Sequence, residues 1–175
     1  MGWNTSALFV RDRSVGEVLD LLPDVFGYDP TGEKLPADHA WSSSPGQRLY
    51  LSDEGGWCQL WDPDQRIPPR VGGLIEMDGP GALKGTRALA VVFSSVTSTY
   101  ALWLYDDASL VRHVCFKDGE PAPVFGDFVG GPLPIEDQIE VPSWGPDEDF
   151  LWSVIRAVTR CDADDGRLFS VYDVV

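Results

Sequence analysis

Runs of apolar residues along the chain predict a protein built mainly of β-strands. Seven runs have the length and residue types of strands, and they cover residues 6–12, 48–51, 57–61, 87–96, 98–105, 110–117 and 167–175. Gly55-Gly56 lies between the second and third runs, which predicts a hairpin there. Short polar turns separate the next three runs, which together predict an antiparallel meander.

Two segments instead show the spacing of amphipathic helices. Ser14 stands three residues before Glu17, a capping-box pattern, and apolar side chains follow at helical spacing. Asp147 precedes a second apolar stripe, whose members are Phe150, Leu151, Val154, Ile155 and Val158. The density of proline and glycine predicts a loop over residues 28–47 and argues against a helix over residues 71–86.

These elements predict an α+β fold, with a mainly antiparallel twisted sheet of five to seven strands and two covering helices. A chain of 175 residues with 43% apolar content suits one core, so we expect a single domain over residues 1–175. In the meander we expect Tyr105 to lie opposite Leu110. The same pairing then places His113 opposite Leu102.

The charge restricts the classes of partner. Twenty-eight acids against thirteen bases give a formal net charge of −15 at pH 7. Such a surface repels nucleic acid and anionic membranes, because phosphate binding requires a basic footprint. Residues 118–149 contain nine acids and six prolines but no Lys, Arg or His. Compositional bias and a basic protein partner both explain this acidity, and the sequence leaves the choice open.

Part of the meander and of the acidic segment resembles known sequences. The likeness is carried by Ser95-Val96, Leu110-Val111-Arg112 and Gly131-Pro132-Leu133-Pro134-Ile135-Glu136, with a similar opening at Met1-Gly2, Thr5 and Leu8-Phe9-Val10. Over the N-terminal strand and residues 88–137, the chain resembles uncharacterised actinobacterial families of unknown function. The resemblance implies a shared fold and a bacterial origin, and it transfers no catalytic residue.

Most catalytic and cofactor motifs are missing from the sequence. It contains no G-x-S-x-G, no P-loop and no dinucleotide-binding glycine motif. His39 and His113 do not form H-E-x-x-H, and the three cysteines do not form C-x-x-C. We therefore expect no metal and no cofactor. Neither a signal peptide nor a membrane-spanning run is found, so we expect a cytoplasmic protein with reduced thiols.

One cysteine is a candidate for catalysis. Alternation along residues 57–61 places Cys58 on the same face as Leu60. Cys58 is a possible nucleophile if His113 lies on a neighbouring strand and activates its thiol. The alternative is that Cys58 and His113 are both packed in the core.

The opposite face of the same strand carries two tryptophans. Trp57, Gln59 and Trp61 form either part of the core or a ligand-binding face. A ligand pocket there would be completed by Tyr100. The sequence leaves both alternatives open.

The leading hypothesis is a non-catalytic acidic protein-binding module of the immunity or inhibitor type, which masks a basic partner such as a nuclease toxin. Its expected contact residues are Glu136, Asp137, Trp144, Asp147, Glu148 and Asp149. One alternative is a small-molecule binder or thiol-dependent enzyme with a tryptophan-lined pocket. Another is a structural subunit of a homo-oligomer, and the sequence does not determine the oligomeric state.

Overall fold

Nine strands form one antiparallel sheet in the computed structural model, which describes residues 2–22, 27–42, 46–67, 71, 83–163 and 165–175. The strands are β1 (Asn4–Arg11), β2 (Tyr28–Pro36), β3 (Arg48–Ser52), β4 (Trp57–Asp62), β5 (Arg87–Ser94), β6 (Thr99–Asp106), β7 (Ser109–Lys117), β8 (Glu120–Pro121) and β9 (Leu168–Val174). Their order across the sheet is β2-β9-β3-β4-β1-β5-β6-β7-β8, and every neighbouring pair is antiparallel.

The α+β class and the mainly antiparallel sheet are confirmed, but the predicted number of strands is too low. All seven predicted strands are present, with ends within two residues of those expected. The two missed strands are β2 and the very short β8.

The prediction of a loop over residues 28–47 is wrong, because this segment contains β2 and a helix. β2 tolerates Pro30 and Pro36 because it is an edge strand that pairs only with β9. The pairing shifts between Pro30 and Lys34, where Gly32 has φ +79°. Most of residues 71–86, for which a helix was not expected, lies outside the described residues.

Three helices in the described part of the chain cover the two faces of the sheet: α1 (Val15–Asp20), α2 (Ala37–Ser42) and α3 (Glu148–Thr159). The predicted capping box of α1 is formed by Ser14 and Glu17. Asp147 caps α3, as predicted, and Arg160 ends it in the left-handed conformation.

The core has two halves, one on each face of the sheet. Helix α3 and α2 cover the first half, in which Trp57 and Trp61 of β4 are buried. Helix α1 lies over the second half, in which Cys58 and Leu60 are buried. The period-two assignment of these four side chains is therefore confirmed.

The predicted pairing of β6 with β7 holds at only one end. Tyr105 lies opposite Leu110, as expected, but a β-bulge follows and Leu104 pairs with Arg112. The extra residue is Val111, so every later pair is displaced by one position. His113 consequently lies opposite Trp103 rather than Leu102.

Candidate functional site

The predicted ligand face of β4 is packed interior. Trp61 has no solvent exposure, and Trp57 and Gln59 are also buried. The indole of Trp152 on α3 stacks on Trp61 with ring centroids 5.7 Å apart. Trp61 Nε1 donates a 3.0 Å hydrogen bond to Gln59 Oε1. The protein itself covers this face, so these residues offer a ligand no open surface.

Cys58 and His113 do not form a thiol site. Strands β1, β5 and β6 lie between β4 and β7, so four strand spacings of about 4.8 Å separate the two residues. Both side chains are buried. Burial is the main cause that raises the pKa of the Cys58 thiol to about 12. The hypothesis that His113 activates Cys58 required neighbouring strands and is wrong.

His113 instead belongs to a packed aromatic group. Its ring stacks on Trp103 with centroids 4.5 Å apart and planes 13° apart, and Phe125 packs on the same indole. His113 Nδ1 lies 3.0 Å from the Leu102 carbonyl oxygen. Burial lowers the pKa of His113, because a charged imidazole is disfavoured in this apolar setting.

Glu136, a predicted partner contact, is used inside the protein. Arg112 Nε donates to Glu136 Oε2 at 3.0 Å, and Arg112 Nη2 donates to Oε1 at 2.8 Å. Only 8% of the Arg112 side chain and 6% of the Glu136 side chain are exposed. The Leu133 backbone N–H also donates to Glu136 Oε2 at 2.6 Å. The Glu136 carboxylate is therefore engaged within the protein, and its contact with a partner stays a prediction; Asp137 beside it is exposed.

Trp144, Asp147, Glu148 and Asp149, the other predicted contacts, lie together at the N-terminal end of α3. Trp144 is 70% exposed, and its Nε1 donates to Asp147 Oδ2 at 3.3 Å. The other oxygen of Asp147, Oδ1, accepts from the backbone N–H groups of Asp149 and Phe150 at 3.1 and 3.4 Å. The helix cap therefore also fixes the exposed indole.

Glu148 joins α3 to the sheet. Its carboxylate accepts hydrogen bonds from the hydroxyls of Ser95 and Tyr100. Burial is the largest single influence on the pKa of the Glu148 carboxyl and by itself would raise it. Hydrogen bonds together outweigh burial, so the pKa lies below its ordinary value; the donors are Ser95, the Glu148 backbone, Tyr100 and the Trp3 backbone. Glu148 is thus held as a carboxylate, while Asp149 next to it is exposed.

Two glycines bring the β7–β8 turn against the segment that precedes α3. A Cβ added at Gly119 would overlap the carbonyl oxygen of Trp144, and a Cβ added at Gly145 would overlap Gly119. Gly119 and Gly145 also have φ of +84° and +99°, which side-chain-bearing residues rarely adopt. This backbone contact places Trp144 near Asp118.

An open cavity of about 260 Å³ lies between these parts of the molecule. Its chemically informative lining residues are Tyr100, Asp118, Trp144, Pro146, Asp147 and Glu148. This cavity is named the Trp144 notch. Asp118 was not among the predicted contacts. The Asp-Gly pair is a turn signal in the sequence, but its approach to residue 144 depends on a contact between distant segments.

The charge around the notch is almost uncompensated. Of the nine acids in residues 118–149, only Glu136 forms an ion pair within the described part of the chain. The nearest base along the sequence before this segment is Lys117. The notch thus combines an exposed indole with carboxylates, and neither Arg nor Lys is among the described residues that line it.

Comparisons with protein families, curated proteins and solved structures found no match. The resemblance to actinobacterial families of unknown function stays a prediction. None of the helices in the described ranges combines the length and apolar character that crossing a bilayer requires. Across those same ranges, no group of three or more His, Cys, Asp or Glu side chains is placed to hold a metal ion.

Proposed function

We propose that the protein is a non-catalytic, acidic protein-binding module of the inhibitor or immunity type. The observation that carries this proposal is Trp144, an exposed indole held in place among carboxylates that form no ion pair with the bases in the described ranges. Tryptophan is enriched among the residues that dominate binding energy at protein interfaces.

The notch suits a protein surface better than a free metabolite. Pockets for small molecules typically have volumes of about 300–1,000 Å³ and enclose most of the ligand. The Trp144 notch has a volume of about 260 Å³ and is open. Acids also continue beyond it along residues 118–149, which gives a large partner further contacts.

The sign of the charge indicates the class of partner. A surface with a formal charge of −15 attracts basic proteins over a distance and accelerates their association at low ionic strength. Basic enzymes that act on phosphate-bearing substrates have the complementary charge, and a nuclease toxin is an example. We propose such an enzyme as the partner, and the bacterial cytoplasm as the place where the protein meets it.

The proposal is tested by capture of basic proteins from a bacterial extract at low salt, with elution by rising salt. Three forms serve as bait: wild type, Asp118→Asn/Asp149→Asn, and the control Asp20→Asn/Asp29→Asn. Each double variant removes two exposed carboxylates, and none of the four forms a side-chain hydrogen bond or ion pair among the described residues. Their global charge is therefore matched, and only the position differs.

We expect wild type and control to retain the same basic protein and the Asp118/Asp149 variant to lose most of it. Equal loss from both variants would show that net charge alone drives the capture. Capture of acidic or neutral proteins, or of none, would also contradict the proposal.

A further inference from the structure

We propose that the Trp144 notch is an anchor slot for one arginine side chain, which stacks on the Trp144 indole and pairs with the Asp118 carboxylate. This inference rests on the proposed function, because it specifies how the partner is gripped.

The size of the notch favours a single long side chain. The notch has a volume of about 260 Å³, below the roughly 300–1,000 Å³ of typical small-molecule pockets. The floor is fixed before binding, because the Gly119–Gly145 backbone contact and the Trp144–Asp147 hydrogen bond hold the indole. The binding surface is therefore preorganised, and little conformational entropy is lost when a ligand group binds.

Asp118 is the carboxylate that is free to form a new ion pair. Both oxygens of Asp147 already accept hydrogen bonds, from Trp144 and from the first turn of α3. Glu148 accepts hydrogen bonds from Ser95 and Tyr100. The Asp118 side chain has no such partner in the described part of the chain, and its backbone is anchored by a 2.9 Å hydrogen bond to the Ser98 carbonyl.

The shape of the site favours arginine over lysine. A guanidinium is planar, stacks on an indole face and forms two parallel hydrogen bonds to one carboxylate. An ammonium is more strongly hydrated and makes neither the planar stack nor the paired contact. The neighbouring negative charges of Asp147 and Glu148 attract either cation. A difference in affinity between arginine and lysine therefore measures the contribution of the stacking and of the paired hydrogen bonds.

An arginine within a polypeptide fits better than the free amino acid. The α-carboxylate of free arginine would face the carboxylates of Asp118, Asp147 and Glu148, and like charges repel. In a peptide that carboxylate is an amide and carries no charge. We therefore assign the slot to a side chain of the partner protein.

The test follows the indole N–H resonance of Trp144 by NMR, assigned with Trp144→Phe, while four probes are titrated at low salt. The probes are a blocked glycine-rich peptide with one arginine, the same peptide with lysine, the same peptide with citrulline, and free L-arginine. The variants are Asp118→Asn and, as a charge-matched control, Asp20→Asn. Asparagine also tolerates the left-handed backbone of Asp118, which has φ +51°, so the turn is preserved.

We expect the arginine peptide to shift this resonance and to bind about fivefold more tightly than the lysine peptide. Asp118→Asn should weaken binding about threefold or more, whereas Asp20→Asn should leave it unchanged. The inference is overturned if the citrulline peptide binds equally well, if free arginine binds more tightly than the peptide, or if no probe shifts the resonance. If the arginine peptide fails to bind but the protein still captures a basic partner in a salt-sensitive way, only the arginine slot is excluded and the proposed function stands. If capture itself fails, both the slot and the proposed function are excluded.

Discussion

Cys58 illustrates how the packing of one side chain decides its reactivity. Its thiol has no solvent exposure, and burial raises its pKa to about 12. Cys115 and Cys161 are buried as well, and burial also raises the pKa of Cys115. The thiolate is the nucleophilic form of cysteine, and with so high a pKa the Cys58 thiol is almost entirely protonated at pH 7.5.

We therefore predict that native protein resists thiol reagents. Iodoacetamide at pH 7.5 should leave Cys58 unmodified over hours, while all three cysteines should react rapidly in denaturant, as checked by mass spectrometry. The denatured sample is the control for reagent activity. Modification of native Cys58 within minutes would revive the thiol-enzyme alternative.

The buried Arg112–Glu136 ion pair leads to a prediction about stability. Loss of one member of a buried ion pair leaves the other charge without its partner, at a cost of about 3–5 kcal/mol. Arg112→Met and Glu136→Met should each lower the free energy of unfolding by about that amount in urea titrations.

The double replacement Arg112→Met/Glu136→Met should cost much less than the sum of the two single changes, because it leaves no unpaired charge behind. Additive losses would show that the two side chains are not coupled.

Among the elements, the β7–β8 turn is the one on which the notch depends most directly. Gly119→Ala should strain the backbone and push the turn away from Trp144. We expect the free energy of unfolding to fall by about 1–3 kcal/mol. We also expect a change in the quenching of Trp144 fluorescence by acrylamide. Gly131→Ala is the matched control, because its φ is not positive and no atom lies within 4 Å of an added Cβ. Equal behaviour of the two variants would contradict the described contact.

The elements also show which features a sequence can supply. Local signals predicted the capping box of α1, the cap of α3 and the alternation of β4, because each depends on residues close along the chain. The bulge at Val111 escaped prediction because nothing in the local pattern requires an extra residue there. β2 was missed because its prolines are acceptable only at a sheet edge, and edge position is a property of the whole sheet.

In the Trp144 notch, too, local features were predicted from the sequence and contacts between distant segments were not. Its acids and Trp144 were predicted as contacts from composition alone. The recruitment of Glu136 by Arg112 and the approach of Asp118 to Trp144 were not, because both join distant segments. Sequence reasoning thus grouped the acids and Trp144, whereas the contacts between distant segments required the structure.

For the whole molecule, salt should have opposite effects on folding and on binding. At a formal net charge of −15, the carboxylates of the folded protein repel one another, and added salt screens that repulsion. We expect the melting temperature to rise by a few degrees between about 20 and 500 mM NaCl, while capture of a basic partner weakens over the same range. Thermal unfolding and binding measured on one preparation check both signs. A falling melting temperature would show that attractive ion pairs dominate the folded state.

The position of β9 in the sheet has a consequence for synthesis of the chain. β2 pairs only with β9, and Pro36 lies opposite Leu168, 132 positions later. At a synthesis rate of about 5–20 residues per second, β2 waits roughly 7–26 s for that strand. β2 therefore stays without its native partner strand until β9 has emerged from the ribosome, and the native sheet is completed only then. The prolines of β2 limit its pairing with other chains during that interval.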